Sequence, residues 1–539
     1  MEKQHSNPNT SADVEMCGES AEVNGLKRDL SSRHINMIAL AGMIGTGLFL
    51  GSGNVIATAG PAGALLAYTL MGFVTAGVAY TTGEITAFMP ETGGFIRHAT
   101  RFVVPALGAA TGWNFWYTMS ITIPAEISAA ATLIQFWNTS INPGVWITIF
   151  LVFIIALNLC GVRLYGESEV VFASLKIMLI IGLIIGGLVI DLGGAPNGER
   201  LGFRYWSNPG AFNTYIKDGS AGRFLAFWKC MLPAAFSYGN IQIVAISGSE
   251  TRDPRKLIPA ATKKTFYRIF VFYFLSIFIV GLIVAYDDPA LDVSTGTAQQ
   301  SPFVIAFHRS GVSVVPSIVN AVVCTSAISS GSACIFIASR TLFGLSCDGH
   351  APKIFQRCNR FGVPYYAIGL SCILSPLVYL TVANNTSTVF MWFVNITTVF
   401  MWFVNITTVA GLIGWVVIQI TYLRFYAGMK KQGYSREDLP YKSPLQPYVA
   451  WASLVMVCLV IFFAGYDVFV KGHFTAEGLI TCYVDLPIFA VLYLVFKIRL
   501  GSRILKTSEI DLHRGFLAIQ EEKESGTEFR SSEGVIEAK

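Results

Sequence analysis

The stretch of sequence that decides the fold is Ala41-Gly42-Met43-Ile44-Gly45-Thr46-Gly47-Leu48-Phe49-Leu50-Gly51-Ser52-Gly53. It lies in the first long apolar segment, and five of its thirteen residues are glycine. Because each glycine weakens a helix interior by roughly 0.5–1 kcal/mol relative to alanine, this density predicts an interrupted helix. Interrupted backbone at membrane depth is tolerated only where protein or a water-filled cavity covers it. The interruption leaves free N–H groups at the start of a half-helix, which attract an anion, so we interpret the stretch as half of a substrate site.

Length and composition place the chain among all-α integral membrane proteins with many spans. Of the 539 residues, 53% are hydrophobic and only 13% are charged, about half the charged fraction of a soluble domain. The mean hydropathy is +0.55, and apolar runs of about 20 residues recur. The net charge of +5 is concentrated in alternate loops, as membrane orientation requires, so we expect the lipid bilayer and no nucleic acid as partner.

Hydropathy predicts twelve transmembrane helices within a domain over residues 34–500, between polar tails over 1–33 and 501–539. We expect the C-terminal tail to be flexible. The predicted spans are 35–58, 63–88, 104–137, 145–162, 169–190, 226–249, 267–286, 313–346, 365–383, 388–425, 449–470 and 479–499. Lysine and arginine are concentrated in the loops after spans six, eight and ten, which predicts that both termini lie in the cytoplasm.

Motifs of catalytic or metal-binding chemistry are not found in the sequence. The ten cysteines are scattered, without CxxC or Cys/His spacing, so neither a disulfide framework nor a metal site is expected. No nucleophile–base pair, HExxH motif or phosphate-binding loop is present. We therefore expect no catalytic residue, no cofactor and no enzymatic activity.

Span six contains a second candidate interruption, Pro233-Ala234-Ala235-Phe236-Ser237-Tyr238-Gly239-Asn240. Proline removes a backbone donor and glycine adds flexibility. Interrupted spans one and six lie five spans apart, as an inverted five-plus-five repeat predicts, with the site between them. The repeats would cover about 35–190 and 226–425, followed by extra helices over about 449–499. A proline kink without a ligand is the alternative for span six.

Two ionisable residues lie inside predicted spans, where burial of a charge costs several kcal/mol and usually serves a function. Glu126 has apolar or small neighbours in span three, and Lys176 lies within span five. We interpret both as candidates for proton coupling. Glu126 as a neutral, hydrogen-bonded structural acid and Lys176 as a side chain that reaches to the membrane interface are the alternatives.

A ten-residue repeat interrupts the regularity of span ten. Residues 389–398 recur unchanged as residues 399–408. Ten extra residues add about 15 Å to a helix and change the direction of its faces. An extracellular extension, a recent duplication and an assembly error remain open.

The motifs together resemble the fungal amino acid permeases of the amino acid–polyamine–organocation superfamily, over roughly residues 30–515. The segments that carry the resemblance are Gly42–Phe49, Tyr165–Glu169 with Lys176, Gly248–Pro259 and Trp402–Thr408. It implies a LeuT-type fold with broken helices one and six. It also implies residence in the plasma membrane and uptake of amino acids by symport with protons as the coupling ion.

The resemblance also assigns residues to the two ends of an amino acid. The substrate carboxylate would meet the amides of Gly45, Thr46 and Gly47, with Ile44 beside them, where the half-helix dipole is positive. The ammonium would meet carbonyls near Phe236, Ser237 and Tyr238. Gly239 and Asn240 complete the substrate-binding set. The rings of Phe236 and Tyr238 either line or gate the pocket, or only pack.

The sequence departs from the family at Asn240 and Gln242, where many relatives have glycine and glutamate. A neutral glutamine can neither take up a proton nor form the same ion pairs. A transporter of a polyamine, carnitine or choline therefore remains an alternative, as does a sensor of amino acids that transports little. Tail lysines such as Lys3, Lys27, Lys506 and Lys523 could serve ubiquitin-ligase adaptors.

Overall fold

The computed structural model describes residues 46–49, 51–91, 93–137, 140–243, 254–292, 301–312, 314–381 and 396–521, with single residues 33, 37 and 524. Throughout this part of the chain the regular structure is helical, without β-strands. The α-helices, numbered in chain order, are α1 Thr46–Phe49, α2 Gly51–Phe88, α3 Phe95–Phe102, α4 Pro105–Ile134, α5 Pro143–Leu159, α6 Val162–Asp191, α7 Gly219–Lys229, α8 Met231–Ser237, α9 Pro254–Ile283, α10 Pro289–Asp292, α11 Pro302–Arg309, α12 Val315–Cys347, α13 Tyr365–Ser371, α14 Ile396–Gln432, α15 Tyr448–Phe462, α16 Ala476–Tyr483 and α17 Asp485–Leu500.

Several of these helices have the length and composition of membrane spans. Within the described ranges, five segments qualify: Gly51–Phe88, Val162–Asp191, Leu257–Ile283, Val315–Cys347 and Trp402–Gln432. The pair α16 and α17, bent by 41°, counts as a sixth if it is one span. The chain is therefore a helical multi-pass protein, whereas the number of twelve spans stays a prediction.

The turn between predicted spans one and two lies at Gly60, inside α2. Its φ of +73° and ψ of 171° are not helical, and Pro61, which has no N–H to lose, starts the next helical segment. The N–H of Asn213 donates to the carbonyl of Ala59 (3.1 Å), and the N–H of Ala62 donates to that of Ala211 (2.9 Å). A Cβ at Gly60 would lie 2.8 Å from the Ala211 oxygen, so only glycine fits here.

Span six is interrupted, but not at its proline. Helices α7 and α8 meet at Cys230, one turn before Pro233, whose missing N–H leaves the helix short of a donor there. The chain leaves the helix after Ser237 and turns at Gly239 and Asn240. The predicted interruption of span six is thus present in the structure. That of span one at Gly45 lies outside the described residues.

The longest helix contacts bury the centre of the molecule. Helix α12 packs along α4, and α9 packs along α2. Helix α14 lies against α4 and α8 and carries the buried Trp415. Helices α15 and α17 pack on the outside of this group, against α14 and α4 respectively.

We call one end of the molecule the base and the opposite end the top. At the base, α2 ends at Phe88, α12 ends at Cys347 and α14 ends at Gln432. The base also holds the ion pair between Arg97 and Asp348 (2.6 Å), which joins the chain after α2 to the chain after α12. Nδ2 of Asn359, in the chain after α12, donates to the carbonyl of Leu159 (3.1 Å), so α6 starts at the base and runs to the top.

The described part of the C-terminal tail is docked at the base, in contrast to the flexible tail that we expected for 501–539. The N–H of Leu505 donates to the carbonyl of Val103 (3.0 Å), and Nε2 of Gln432 donates to that of Ile510 (2.7 Å). A helix over 513–521 follows. The segment is held by buried apolar side chains, which include Ile510, Leu512 and Ile519. These residues are separated by charged ones, so the average hydropathy of the segment does not reveal them.

The second copy of the ten-residue repeat, 399–408, lies inside α14, which begins at Ile396 within the first copy. Residues 389–395 lie outside the described part of the chain.

Candidate functional site

A buried cavity of about 60 Å³ lies where α8 ends, at the centre of the molecule. Its walls come from α1, α4, α8 and the following turn, α9, α12 and α14. The residues that line it are Gly47, Phe115, Thr118, Met119, Thr122, Glu126, Ala235, Phe236, Ser237, Gly239, Asn240, Gln242, Tyr273, Ser330, Thr407, Thr408, Gly411, Leu412 and Trp415. Among these, Glu126 is the one acidic or basic side chain.

Hydrogen bonds at the end of α8 determine which carbonyls are engaged. The N–H of Gly239 donates to the carbonyl of Phe236 (3.0 Å) instead of that of Ala235, which thereby loses its helical donor. The hydroxyl of Tyr273 donates to the carbonyl of Ser237 (2.9 Å). Two of the carbonyls predicted to meet an ammonium thus have donors already. Ala235, which sequence reasoning missed, offers an unused helical acceptor at the cavity.

The two aromatic residues of the α8 end have different surroundings. Phe236 lines the cavity, whereas Tyr238 does not. The buried ring of Tyr238 packs against Tyr68 from α2 (centroids 6.2 Å apart) and Tyr273 from α9 (5.0 Å). The hydroxyl groups of Tyr68 and Ser237 are hydrogen-bonded (3.0 Å). The Tyr238 side chain thus packs between two other tyrosines at the end of α8, and its part in substrate binding stays a prediction.

Gly47 brings span one against span six. A Cβ at this position would lie 2.9 Å from Cδ1 of Phe236 and 3.0 Å from Oγ of Ser237, so glycine at residue 47 leaves room for these two side chains of α8. Thr46 is the first residue of α1. Ile44 and Gly45 lie outside the described residues, and their part in the site stays a prediction.

Asn240 occupies a left-handed conformation, with φ of +71°. Glycine adopts this conformation without strain, and asparagine adopts it more readily than most other residues. Asparagine in place of the glycine found in many relatives is therefore compatible with the turn. The side chain of Asn240 also lines the cavity.

Gln242 is buried beside the cavity, and its Oε1 accepts a hydrogen bond from Nε1 of Trp415 (3.0 Å). The bond ties the turn after α8 to α14. Because an amide carries no charge, this side of the cavity is neutral, unlike that of a relative with glutamate at the position. Trp415 was not among the residues that the sequence indicated, because nothing in an apolar span distinguishes one tryptophan as a cavity wall.

Glu126 lies on the face of α4 that lines the cavity, and it is 3% exposed. Its Oε1 accepts a hydrogen bond from the hydroxyl of Ser330 on α12 (3.0 Å). Burial of a carboxyl group disfavours its ionised form. The geometry brings Glu126 together with the substrate-binding candidates Phe236, Ser237 and Asn240.

Lys176 lies near the middle of α6, is 1% exposed and does not line the cavity. The alternative in which its side chain reaches the membrane interface is therefore wrong. Its electrostatic partners are Glu169 and then Glu126. Glu169 is 0% exposed and accepts a hydrogen bond from Ser329 (2.8 Å). The sequence offered a signal for it, since Glu169 and Lys176 are two helical turns apart on one face.

A buried cavity at an interrupted helix, surrounded by apolar helices, is the arrangement of a membrane transporter. In the part of the chain that the structure describes, no cluster of His, Cys, Asp and Glu could hold a metal ion. The sequence model of the family described as amino acid permease matches residues 34–509. The chain belongs to this family.

Curated relatives agree with the family over most of their length. The chain is 41% identical over 505 residues to the proline-specific permease of Emericella nidulans, covering 92% of this chain and 90% of that protein. It is 38% identical over 508 residues to the dicarboxylic amino acid permease of Saccharomyces cerevisiae (93% and 82%). It is 38% identical over 490 residues to the lysine-specific permease of the same yeast (90% and 78%). The protein is accordingly a multi-pass amino acid transporter and not an enzyme.

Proposed function

We propose that the protein is a proton–amino acid symporter of the plasma membrane that works by alternating access. The observation that carries the proposal is the juxtaposition of the interrupted end of α8 with Glu126 in one buried cavity. A zwitterion has one charge of each sign, and the two broken helices offer backbone groups of opposite polarity. Glu126 adds a group that can carry a proton.

The proposed fold is the LeuT-type arrangement of twelve spans with a five-plus-five inverted repeat. Its support is the identity of the helix pairs in closest contact. Helices α4 and α12 correspond to spans three and eight, and α2 and α9 include spans two and seven. Helices α1 and α8, from spans one and six, also touch. Each pair joins two spans that are five apart, so each helix meets its own counterpart.

In the proposed complex, the substrate carboxylate lies at the amides of Gly45, Thr46 and Gly47. The ammonium lies at the α8 end, where the carbonyl of Ala235 lacks its helical donor. Both contacts use partial charges of half-helix ends, so no protein side chain needs to be buried as an unpaired ion. Phe236 closes one side of the cavity against the substrate side chain.

The coupling proton binds within the pair of buried sites at Glu126 and Lys176. Loss or gain of one charge at membrane depth changes the relative energy of two conformations by several kcal/mol. A proton that binds in one conformation and leaves in the other therefore biases the cycle towards uptake.

In the proposed orientation the base faces the cytoplasm, and both termini lie on that side. Cationic residues are concentrated in its loops: Arg97, Arg101, Lys353, Arg357, Arg360, Lys430, Lys431, Arg436 and Lys442. Such an excess favours the cytoplasmic side. Adaptors of ubiquitin ligases would reach the exposed Lys506 there.

Uptake of a labelled amino acid into proteoliposomes with an imposed pH gradient tests this proposal. Accumulation should follow the gradient, and Lys176→Met should lower it, whereas Arg163→Met, which changes an exposed cation on the same helix, should not. Uptake that does not depend on the pH gradient would contradict proton coupling. Wild-type behaviour of Lys176→Met would remove Lys176 from the mechanism.

The identity of the substrate requires a competition panel. The relatives named above are called proline-specific, dicarboxylic and lysine-specific permeases, so their names do not agree on one charge class. Unlabelled amino acids, polyamines, carnitine and choline should each be tested against one labelled amino acid. Competition by a non-amino-acid amine alone would favour the alternative substrates, and binding without transport would favour a sensor.

A further inference from the structure

Glu169 is a completely buried carboxyl group that the mechanism above does not use. It lies on α6 outside the cavity, two helical turns from Lys176 in the direction of the base. Two turns correspond to about 11 Å along the helix, which the long side chains of lysine and glutamate together can bridge. Glu169 and Glu126 are both acidic neighbours of Lys176.

Two consecutive serines on α12 connect this hidden carboxyl group to the cavity. Ser330 donates to Oε1 of Glu126 (3.0 Å), which lines the cavity. Ser329 donates to Oε2 of Glu169 (2.8 Å), which does not. Because both donors belong to adjacent residues, the two carboxyl groups lie on either side of one helix segment, with Lys176 interacting with both.

Polar groups continue from Glu169 towards the base. Tyr165 lies one turn nearer the base on α6, and its ring stacks on Phe336 (centroids 4.4 Å apart, planes 9° apart). The guanidinium of Arg340 lies over the other side of this cluster, 3.8 Å from the centroid of Phe336. Arg340 also donates to Ser339 (3.1 Å). Tyr165 and Arg340 thus lie on either side of the Phe336 ring, between Glu169 and the base, and buried polar groups at membrane depth usually serve a function.

We propose that Glu169 is the proton acceptor through which the coupling proton leaves towards the base; this rests on the proton coupling proposed above. The Lys176 ammonium gives one proton to the Glu169 carboxylate, so that an N–H bond breaks, an O–H bond forms, and both groups become neutral. Glu169 then releases this proton to water at the base. The next proton reaches the Lys176 amine from the carboxyl group of Glu126.

The groups that face Glu169 agree with this role. Ser329 on α12 donates a hydrogen bond to it, and Lys176 on the same helix is its cationic neighbour. Cys334 on α12 and Glu126 on α4 are the other titratable groups of the cluster. One lysine between two carboxylates allows the cluster to hold a proton at either end while its net charge changes by only one unit.

The matched variants are Glu169→Gln and Glu167→Gln. Glu167 lies on the exposed face of the same helix, so its change removes one carboxylate without touching the buried cluster. Both variants and the wild type are placed in sided proteoliposomes. Exchange of labelled amino acid at equal concentrations needs no net proton movement, whereas accumulation driven by a pH gradient does.

We expect Glu169→Gln to exchange amino acid like the wild type but to lose accumulation by about a hundredfold, the size of a lost proton-transfer group. Its accumulation should no longer depend on the pH at the base, and Glu169→Asp should restore part of that dependence. Glu167→Gln should match the wild type throughout. Equal loss of exchange and accumulation, or accumulation equal to that of Glu167→Gln, would overturn the inference.

If Glu169→Gln fails to fold, Ser329→Ala provides an independent test of the role of Glu169. It keeps the carboxyl group but removes a hydrogen bond to its ionised form, so the dependence on base-side pH should move to higher pH. An unchanged profile would contradict the role of Glu169. If accumulation by the wild type does not depend on the pH gradient, both the symport proposal and this inference are overturned. If accumulation by the wild type depends on the gradient and Glu169→Gln accumulates equally well, only the inference is overturned.

Discussion

Asn240 holds the left-handed turn that ends α8, and its φ of +71° separates the substitutions it can accept from those it cannot. Asn240→Gly keeps this conformation, whereas Asn240→Val forces a β-branched residue into it at a cost of roughly 1–2 kcal/mol. We expect Asn240→Gly to fold and reach the membrane like the wild type, and Asn240→Val to show a lower melting temperature and little uptake. Equal stability of the two variants would contradict the strain.

The neutral amide of Gln242 determines the charge of one cavity wall. Gln242→Glu can still accept the hydrogen bond from Trp415 and adds a carboxylate, so cationic amino acids should compete better and neutral ones worse. Gln242→Met, which has a similar size but no strong acceptor, serves as control and should weaken all competitors alike. The measurement is the competition panel with each variant, and an unchanged order of competitors in Gln242→Glu would contradict the expectation.

At the scale of residues, the sequence predicted the chemistry of the site better than the direction of its side chains. Glycine, proline and buried charges are visible in a sequence, and they indicated Gly47, Gly239 and Glu126. Phe236 and Tyr238 are two residues apart, yet one lines the cavity and the other packs between Tyr68 and Tyr273. That difference depends on residues from two other helices, which no local pattern contains.

At the scale of elements, the base end of α2 is tied to the loop after α14. Nη2 of Arg436 lies 2.9 Å from Oε2 of Glu84, and Nε lies 3.1 Å from Oε1. The hydroxyl of Tyr422 donates to Oε1 of Glu84 (2.9 Å), and the N–H of Ser443 donates to Oε2 (2.7 Å). Glu84 is fully buried, and we call the cluster of donors that ties it to the loop after α14 the base latch.

Glu84→Gln should open this latch. Hydrogen bonds to a charged group contribute about 1.5–3 kcal/mol, and Arg436, whose side chain is 25% exposed, would lose its counter-charge. We expect faster hydrogen–deuterium exchange of residues 436–443 and reduced uptake. Glu437→Gln breaks an exposed ion pair with Lys442 in the same loop and should change neither. Equal exchange in the two variants would show that Glu84 does not hold the base.

The sequence predicted the existence of most elements and failed where tertiary contacts decide. Spans at 104–137 and 313–346 correspond to α4 and α12 within a few residues, because long apolar runs can only be helices in a membrane. The turn at Gly60 and the interruption at Gly239 follow from local chemistry. The docking of 501–521 could not be predicted, because its few apolar residues are buried only by tertiary contacts with the base.

At the scale of the whole molecule, the centre is built from three contacting helix pairs: α1 with α8, α2 with α9, and α4 with α12. Helices α15 and α17 pack outside this centre. In the proposed alternating-access cycle, the central pairs move as halves relative to each other, and contacts at the base and top determine which end opens. The C-terminal segment crosses the base and touches elements from both halves, so it belongs to these contacts.

The C-terminal segment should therefore stabilise the closed base. Ile510, Leu512 and Ile519 are buried, Phe516 stacks on Tyr434 (4.3 Å), and each such side chain contributes about 1.5–3 kcal/mol. We expect removal of residues 502–539 to lower the melting temperature of the purified protein and to reduce uptake. Removal of 525–539 alone, beyond the docked helix, should change neither. Both truncations delete charged tail residues, so a difference in melting temperature between them measures the contribution of the docked contacts. Equal melting temperatures would show that the segment packs without stabilising the base.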